Sequence, residues 1–184
     1  MAETALRILQ INTERGWRGG ERQTLLTAVG LRERGHDLEL LLRKGSVLAE
    51  RACALGFVVH TAGGGFSFGY WLALYGGRYN VLHAQTAKVV AWAVVVAFAH
   101  RRPIVFSRRT SFPVGARSWL TRLKWRRLDQ MVAISEAAAD APRSLGVSTQ
   151  VIPSAVLPIT VDASRLQHFF KQHALEGRRL VGTA

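Results

Sequence analysis

The stretch that decides the fold is residues 6–23, LRILQINTERGWRGGERQ. Residues 6–11 are mostly apolar and predict a buried strand, residues 12–18 predict a loop, and a helical pattern opens after Gly19 and Gly20. A strand that passes through a glycine turn into a helix aims free backbone N–H groups and the positive end of the helix dipole at an anion. Glycine suits such a site because a phosphate oxygen can approach a backbone that has no Cβ. The spacing is not G-x-G-x-x-G, so an ordinary turn between strand and helix stays open as the alternative.

Beyond this stretch, short apolar runs alternate with helical patterns along the chain. The runs are continuous rather than alternating in polarity, which is typical of parallel strands buried on both faces. The sequence therefore predicts an α/β fold with a doubly wound, mostly parallel sheet of about seven strands and helices on both faces, as in Rossmann-like domains. The predicted strands are residues 6–11, 37–42, 57–60, 80–83, 103–107, 130–134 and 149–152.

The segments between the strands are predicted to be mainly helical. Residues 61–69 are rich in glycine and predict a loop, residues 70–75 predict about one helical turn, and residues 112–115 predict a second loop. In sheets of this kind ligands bind beyond the carboxyl ends of the strands, so the loops that follow the strands are expected to carry function. The predicted helices are residues 21–34, 47–55, 84–99, 116–128, 136–145 and 163–175.

Composition limits the function classes. The chain has 184 residues, 48% of them hydrophobic, which is enough for a domain with a substantial core and excludes a disordered chain. The net charge of +13 predicts an anionic partner, whether nucleic acid, anionic lipid or a phosphorylated substrate, with an unspecifically basic surface as the alternative. A single cysteine, Cys53, excludes an internal disulfide and fits a reducing compartment. No apolar run approaches the roughly 20 residues that span a bilayer, and the N-terminal residues lack a signal-peptide pattern, so we expect a cytoplasmic location.

Several stretches resemble one known family in their order and spacing. The set resembles the N-terminal, acceptor-binding domain of the family 4 retaining glycosyltransferases, which have the two-domain GT-B fold. The likeness covers nearly the whole chain. The stretches that carry it are RILQINTERGWRGGERQ, LRERGHDLELLLRKGS, NVLHAQTAKVVAWA, PIVFSRRTSFPVG, RLDQMVAISEAAADAPRSLGV, VIPSAV and VGTA.

The resemblance implies a division of labour between two domains. Residues 1–179 would form the N-terminal domain, and residues 180–184 would begin a C-terminal domain that holds most of the nucleotide-sugar donor. Gly19 and Gly20 would donate N–H groups to the phosphates of the donor and stabilise the leaving diphosphate. The family requires neither a metal nor another cofactor. The expected function is sugar transfer to a glycan or lipid-linked acceptor in the synthesis of cell-envelope polysaccharide or lipopolysaccharide, and this chain alone is expected to be inactive.

Four residues near strand ends are candidates for binding the acceptor. His83 ends the fourth predicted strand, and Arg108 and Arg109 follow the fifth, where paired guanidinium groups suit a phosphate or carboxylate. Many family members have a histidine near position 109, so that role does not transfer to this chain. Glu136 could bind a sugar hydroxyl, although Ser135 before it is also a natural helix N-cap. The alternatives are a histidine bonded within the protein and a solvated charged loop.

Residues 116–128, ARSWLTRLKWRRL, combine tryptophans with basic side chains on a predicted helix. Such a helix is typical of elements that lie in the membrane interface, with rings at headgroup depth and cations on anionic lipid. The alternative is that its leucines cover the sheet while its charges face water. The residues predicted to contact an anionic membrane surface, on a peripheral protein, are Trp119, Arg122, Lys124, Trp125 and Arg126.

Two other functions stay open at this point. One is a non-enzymatic basic module that binds nucleic acid, although the sequence shows no zinc spacing, helix-turn-helix or aromatic RNA motif. The other is half of a sugar-nucleotide epimerase with the same two-domain fold. We expect a glycosyltransferase and no nucleic-acid partner.

Overall fold

The computed structural model describes residues 4–111, 118–156, 161–175 and 177–178. The predicted loop at residues 112–115, the first two residues of the predicted basic helix and the predicted start of a second domain at residues 180–184 therefore lie outside the described residues.

The described chain forms one sheet of seven parallel strands in the order β3-β2-β1-β4-β5-β6-β7. The predicted α/β class and the predicted number of strands are confirmed. The strand order reverses between β1 and β4, and such a switch point opens a crevice at the carboxyl ends of the two strands. The strands are β1 Arg7–Asn12, β2 Asp37–Arg43, β3 Val58–Ala62, β4 Val81–Ala84, β5 Ile104–Arg108, β6 Gln130–Ala133 and β7 Thr149–Val151.

Helices connect successive strands, and one short 3₁₀ turn, Gly76–Arg78, precedes β4. None of the described helices is long and apolar enough to span a bilayer. The helices are α1 Gly19–Glu33, α2 Val47–Ala54, α3 Gly65–Tyr75, α4 Ala87–Val95, α5 Ala97–His100, α6 Ser118–Trp125, α7 Glu136–Ser144 and α8 Ala163–Gln172.

The helices cover the two faces of the sheet unequally. On one face α1 and α2 pack over β1 and β2, where Ile8, Leu40 and Leu48 share one apolar cluster. On the other face α3, α4 and α6 pack against a larger cluster that includes Leu9 and Leu82. The outer part of the first face, over β4 to β6, is left as a groove beside α1. The groove therefore lies directly beside α1, and the N-terminus of α1 lies at the switch point.

The glycine-rich loop predicted at residues 61–69 is wrong, because this segment forms the end of β3 and the first five residues of the helix α3. Two of its glycines lie one helical turn apart against the ring of Trp92. A Cβ would come within 2.6 Å of the Trp92 ring at Gly65 and within 2.7 Å at Gly69. The glycines therefore allow two helices to pack closely, which sequence reasoning interpreted as turn formation.

The single helix predicted at residues 84–99 is also corrected. Residue 84 belongs to β4, and the helix is divided into α4 and α5 at Val96, which has φ −97° and ψ 14°. A run of valines ends α4, and β-branched residues have low helix propensity. The buried His100 fixes α5, because its Nε2 lies 2.9 Å from the carbonyl oxygen of Ala93.

A buried carboxylate joins the amino-terminal halves of the strands, away from the switch-point crevice. Glu39 of β2 accepts hydrogen bonds from Tyr79 at 2.7 Å and His60 at 2.6 Å, and it forms an ion pair with Arg7. Burial alone would raise the pKa of Glu39, but these donors outweigh it and lower the pKa to about 2. We call Arg7, Glu39, His60 and Tyr79 the Glu39 network.

Candidate functional site

The N-terminus of α1 is open at the carboxyl end of β1. The side chain of Asn12 donates to Thr24 of α1 at 3.0 Å and accepts from the backbone of Glu14 at 2.9 Å, which fixes the loop between strand and helix. The carboxylate of Glu21 folds back and accepts the Arg18 N–H at 2.8 Å. Among the residues that the structure describes, none accepts a hydrogen bond from the N–H groups of Gly19 and Gly20. These two donors therefore face the crevice.

The two glycines are not explained by packing. A Cβ built on Gly19 would meet no atom within 4 Å, and one built on Gly20 would meet only Cδ of Arg109, at 4.0 Å. Neither glycine has a positive φ. The space in front of them is therefore free for a ligand that needs close access to the backbone.

Arg109 stands beside this helix terminus. One guanidinium Nη donates to Oε1 of Gln85 at 2.6 Å, and its Nε is buried without a partner among the described residues. Burial lowers the pKa of Arg109, and the carboxylate of Glu21 partly opposes this effect. A cation that is desolvated and incompletely bonded favours an anion in the adjacent space.

His83 continues the same chain of polar contacts below Arg109. Its Nε2 lies 2.8 Å from Oγ of Ser107 and 3.2 Å from the amide nitrogen of Gln85. Because an amide nitrogen only donates, Nε2 is the acceptor and the ring proton is on Nδ1. The pKa of His83 is lowered to about 4, chiefly by burial and also by the charge of Arg109. The imidazole is therefore neutral at physiological pH.

Two adjoining clefts meet at Gly20 and Arg109, with volumes of about 450 and 510 Å³. Two carboxylates, Glu14 and Glu21, lie in these clefts. Oε1 of Glu14 is 3.7 Å from Nζ of Lys88, and the carboxylate of Glu21 accepts the backbone N–H of Arg18. Positive charge therefore prevails along the walls. The cations that line them are Arg15, Arg18, Arg22, Arg43, Lys88 and Arg109.

A third cavity, of about 350 Å³, extends from Arg109 along the open part of the sheet. Its floor carries His83 and Ser107, and its walls are mainly apolar, with Leu26 and Ile152 among them. The segment after β7 closes one side, where Gln23 of α1 forms two hydrogen bonds with the backbone of residue 155. Polar groups on an apolar floor suit a ligand with both hydroxyl groups and hydrocarbon surface.

The structure brings together four predicted residues: Gly19, Gly20, His83 and Arg109. Arg108 does not join them, and the prediction that both arginines line the crevice is corrected. Arg108 is buried on the opposite face of the sheet, where its Nε donates to the carbonyl of Ala138 at 3.0 Å and its guanidinium stacks on a tryptophan ring. Consecutive residues of a strand point to opposite faces, so only one of the pair can reach the crevice.

Glu136 lies outside these clefts. It begins α7 as an exposed side chain and forms an ion pair with Arg143 of the same helix. Ser135 accepts the backbone N–H of Ala138 as the N-cap, which confirms the structural alternative for that serine. A contact between Glu136 and an acceptor stays a prediction.

The predicted membrane residues are divided by the structure. Trp119, Arg122 and Arg126 are exposed, and Lys124 is half-buried. Trp125 is only 3% exposed and belongs to the main apolar cluster. Its predicted membrane contact is therefore corrected: the ring that would enter the headgroup layer packs under α6 instead.

Sequence reasoning missed Gln85, Ser107 and Glu21. Gln85 is buried, bridges His83 and Arg109 and fixes the acceptor role of the imidazole, while the hydroxyl of Ser107 lies 2.8 Å from the same ring nitrogen. The only signal for them was their position near the ends of β4 and β5 and the start of α1. The described residues contain no group of three or more His, Cys, Asp or Glu side chains placed to hold a metal ion. The expectation that no metal is needed stays a prediction.

Comparisons with known proteins concern the family and the fold. The family profile described as Glycosyltransferase Family 4 matches residues 17–158. No curated protein matches the sequence at a significant level. HepE of Anabaena, solved with UDP-glucose, superimposes with a TM-score of 0.77 and 17% identity over 96% of this chain and 54% of that one. A glycosyltransferase from Rickettsia africae gives a TM-score of 0.76 and 12% identity over 94% and 50%.

A further solved structure, the lipopolysaccharide outer core galactosyltransferase WaaB, gives a TM-score of 0.63 and 11% identity over 84% of this chain and 47% of that one. At such identities the likeness shows the fold. The chain spans about half the length of the structures it matches.

Proposed function

The chain belongs to glycosyltransferase family 4, and we propose that it is the N-terminal half of a two-domain transferase. In this proposal the whole enzyme moves a hexose from a nucleotide-sugar donor to a glycan or lipid-linked acceptor, with retention of the anomeric configuration and without a metal. Family membership favours transfer over the two alternatives, a nucleic-acid-binding module and half of a sugar-nucleotide epimerase. The second domain is its expected partner, and the reaction takes place between the two.

The observation that carries the proposal is the open N-terminus of α1 beside Arg109. The N–H groups of Gly19 and Gly20 donate to phosphate oxygens of the donor, where negative charge grows as the glycosidic bond to the diphosphate breaks. A preorganised donor of this kind contributes about 3–4 kcal/mol to stabilising the transition state. Arg109 adds a charge-assisted bond to the same group, and Gln85 holds its guanidinium in place.

The acceptor lies on the other side of Arg109, over the cavity that His83 and Ser107 line. A neutral imidazole adds no positive charge there, so Arg109 and Arg34, which both line the cavity, are the cations that select a phosphate or carboxylate on the acceptor. Glu136, at the start of α7, bonds hydroxyl groups of a longer glycan from the rim. The mainly apolar walls support an acceptor that carries hydrocarbon, which is the reason for preferring a lipid-linked glycan.

The biological setting is proposed from the neighbours. WaaB is a lipopolysaccharide outer core galactosyltransferase, and we propose that this chain likewise serves cell-envelope polysaccharide or lipopolysaccharide synthesis. Its place is then the cytoplasm, as a peripheral protein on the inner face of the cytoplasmic membrane. Trp119 and Arg122 of α6 are exposed, as is Arg126 directly after it, and they support attachment to anionic lipid, with the half-buried Lys124 beside them.

Nucleotide binding tests the proposal, with UDP as the probe because the similar HepE structure contains UDP-glucose. We expect the chain to bind UDP and Arg109→Gln to weaken binding by about tenfold or more, since a hydrogen bond to a charged group contributes about 1.5–3 kcal/mol. Arg165→Gln serves as the control, because it also removes one positive charge but from the exposed helix α8, which is distant in sequence from Arg109. Equal affinities of both variants, or no binding by the parent, would contradict the proposal.

A transfer assay tests the division of labour. We expect this chain alone to transfer no sugar from UDP-glucose, because most of the donor contacts are proposed to come from the second domain. Measurable transfer by the chain alone would contradict that division.

A further inference from the structure

One long segment of the chain has no negative charge. Residues 52–128 contain no Asp or Glu and eleven Lys or Arg. The segment includes α3, α4, α5 and α6, and three of these helices contribute to one apolar cluster on the same face of the sheet. Their outer sides therefore form a surface to which residues 52–128 contribute positive charge and no negative charge. We call it the α3–α6 face.

Large apolar side chains are exposed on this face. Phe66 of α3 is 83% exposed, Phe98 of α5 is 78% exposed and Trp119 of α6 is 65% exposed. The ring of Phe66 lies 4.8 Å from that of Trp92, so this exposed ring joins α3 to α4. An extended apolar surface with a cationic rim marks an interaction site rather than ordinary exposure of single residues.

A groove of about 490 Å³ runs between α4 and α5 on one side and α6 on the other. Val95, Phe98, Leu120 and Leu123 are among the apolar side chains that line it, and all four are exposed. Among the residues that the structure describes, the polar side chains that line the groove are two cations, Lys124 and Arg127.

Lys124 is desolvated in this groove. Burial lowers the pKa of its ammonium group, and no described carboxylate forms an ion pair with it or with Arg127. Lys124 is half-buried beside hydrocarbon surface. In such a place the stem of a lysine lies along apolar groups while its ammonium group binds a phosphate.

We propose that this groove binds one hydrocarbon chain of an anionic phospholipid, with the lipid phosphate on Lys124 and Arg127. The α3–α6 face then lies on the bilayer, with Trp119 and Phe66 at headgroup depth and the remaining cations against anionic lipid. The uniform positive charge favours a lipid surface over a protein partner, whose surface would carry both signs. This inference extends the membrane attachment proposed above from one helix to a face and a lipid site.

Vesicle co-sedimentation tests the charge. We expect binding to vesicles of phosphatidylcholine with phosphatidylglycerol and much weaker binding to phosphatidylcholine alone. Lys124→Glu with Arg127→Glu should weaken binding by at least about thirtyfold, since each Lys or Arg near an anionic surface contributes about 1 kcal/mol. Arg165→Glu with Lys171→Glu on α8 changes the net charge equally and should have little effect. Equal losses in both pairs, or tighter binding to random RNA than to the anionic vesicles, would overturn the inference.

A second pair of variants tests the groove. Phe98→Asn with Leu123→Asn should weaken binding by about tenfold or more, because both side chains lose burial in lipid. Leu166→Asn with Phe169→Asn removes two similarly exposed apolar side chains from α8 and is the matched control. Bromine atoms on the acyl chains should quench the fluorescence of Trp119. The part of the quenching that Trp119 contributes should be absent in Trp119→Phe. Parent-like binding by the groove pair, or no quenching, would overturn the inference.

UDP binding by the same variants separates the two proposals. If the lipid site fails while UDP binding persists, only the lipid inference is wrong. If the parent binds vesicles as described but not UDP, the proposed donor contact fails and the lipid site stands.

Discussion

The substitution Glu39→Gln should destabilise the protein in a way that depends on pH. Glu39 has an ordinary pKa of 4.5 that the folded protein lowers to about 2, although burial acts in the opposite direction. Because the folded value lies below the unfolded one, the ionised carboxylate stabilises the native state above about pH 4.5, and this contribution is lost as the pH falls toward 2. The side chain is 8% exposed, so solvent screens these interactions little.

The magnitude follows from the two pKa values. The difference corresponds to about 3 kcal/mol of native stability at pH 7 and falls to about 1 kcal/mol at pH 2.5. We expect the free energy of unfolding of Glu39→Gln to be lower than that of the parent by about these amounts at the two pH values. Tyr79 and His60 both donate to Oε2 of Glu39. The amide oxygen of the substituted side chain can accept both bonds, so the loss reports the charge and the ion pair with Arg7.

Urea unfolding followed by circular dichroism measures these free energies at several pH values. Glu50→Gln removes an exposed carboxylate from α2 and is the control, with an expected change within about 0.5 kcal/mol. A deficit of the same size at pH 7 and pH 2.5, or equal deficits in both variants, would refute the assignment of an ionised, fully bonded Glu39.

Three further substitutions or titrations test single features. Trp125→Ala should lower the free energy of unfolding by about 3–5 kcal/mol because it empties part of the main core, whereas Trp119→Ala should change it by about 0.5 kcal/mol or less; similar costs by urea unfolding would contradict their different burial. The ring resonances of His83 should not titrate between pH 8 and pH 5, as expected for a pKa of about 4; an NMR midpoint near 6.5 would contradict its buried neutral state. Gly19→Ala should leave the melting temperature unchanged or raise it, because the added Cβ meets no atom, but should weaken UDP binding; a large loss of stability would show that packing, not a ligand, requires this glycine.

The strands were predictable because their physics is local. A strand buried on both faces is apolar at most positions, and the central residues of β2, LELLL, show this pattern with Glu39 as the exception. The same alternation of strands and helices predicted that α1 follows β1, and hence that Gly19 and Gly20 lie near the carboxyl end of β1. Side-chain direction at the end of β5 was also available, since neighbouring residues such as Arg108 and Arg109 point to opposite faces.

Other features depended on contacts between distant segments. Gly65 and Gly69 carry the signature of a loop until Trp92, more than twenty residues later, is known to pack on them. Gln85 has no sequence signal beyond its position after β4, because its role rests on simultaneous bonds to His83 and Arg109. In these cases contacts between distant segments, rather than local sequence preferences, determine the structure.

Part of the membrane prediction could have been corrected from the sequence alone. Trp119 and Trp125 are six residues apart, which places them about 120° apart around a helix, so they could not share one narrow face. Which of the two faces the core depended on the partners of α6, and Arg108 stacked on Trp125 is one of them. Trp119 is instead 65% exposed.

The central claim is that a phosphate of the donor binds at the N-terminus of α1, and NMR of the backbone amides tests it most directly. On titration with UDP, the account predicts that the largest shifts in amide resonances occur at Gly19 and Gly20, accompanied by a change at the Arg109 side chain. It also predicts that these shifts are lost in Arg109→Gln and kept in Arg165→Gln. Shifts that cluster elsewhere in the chain while Gly19 and Gly20 stay unchanged would contradict the account.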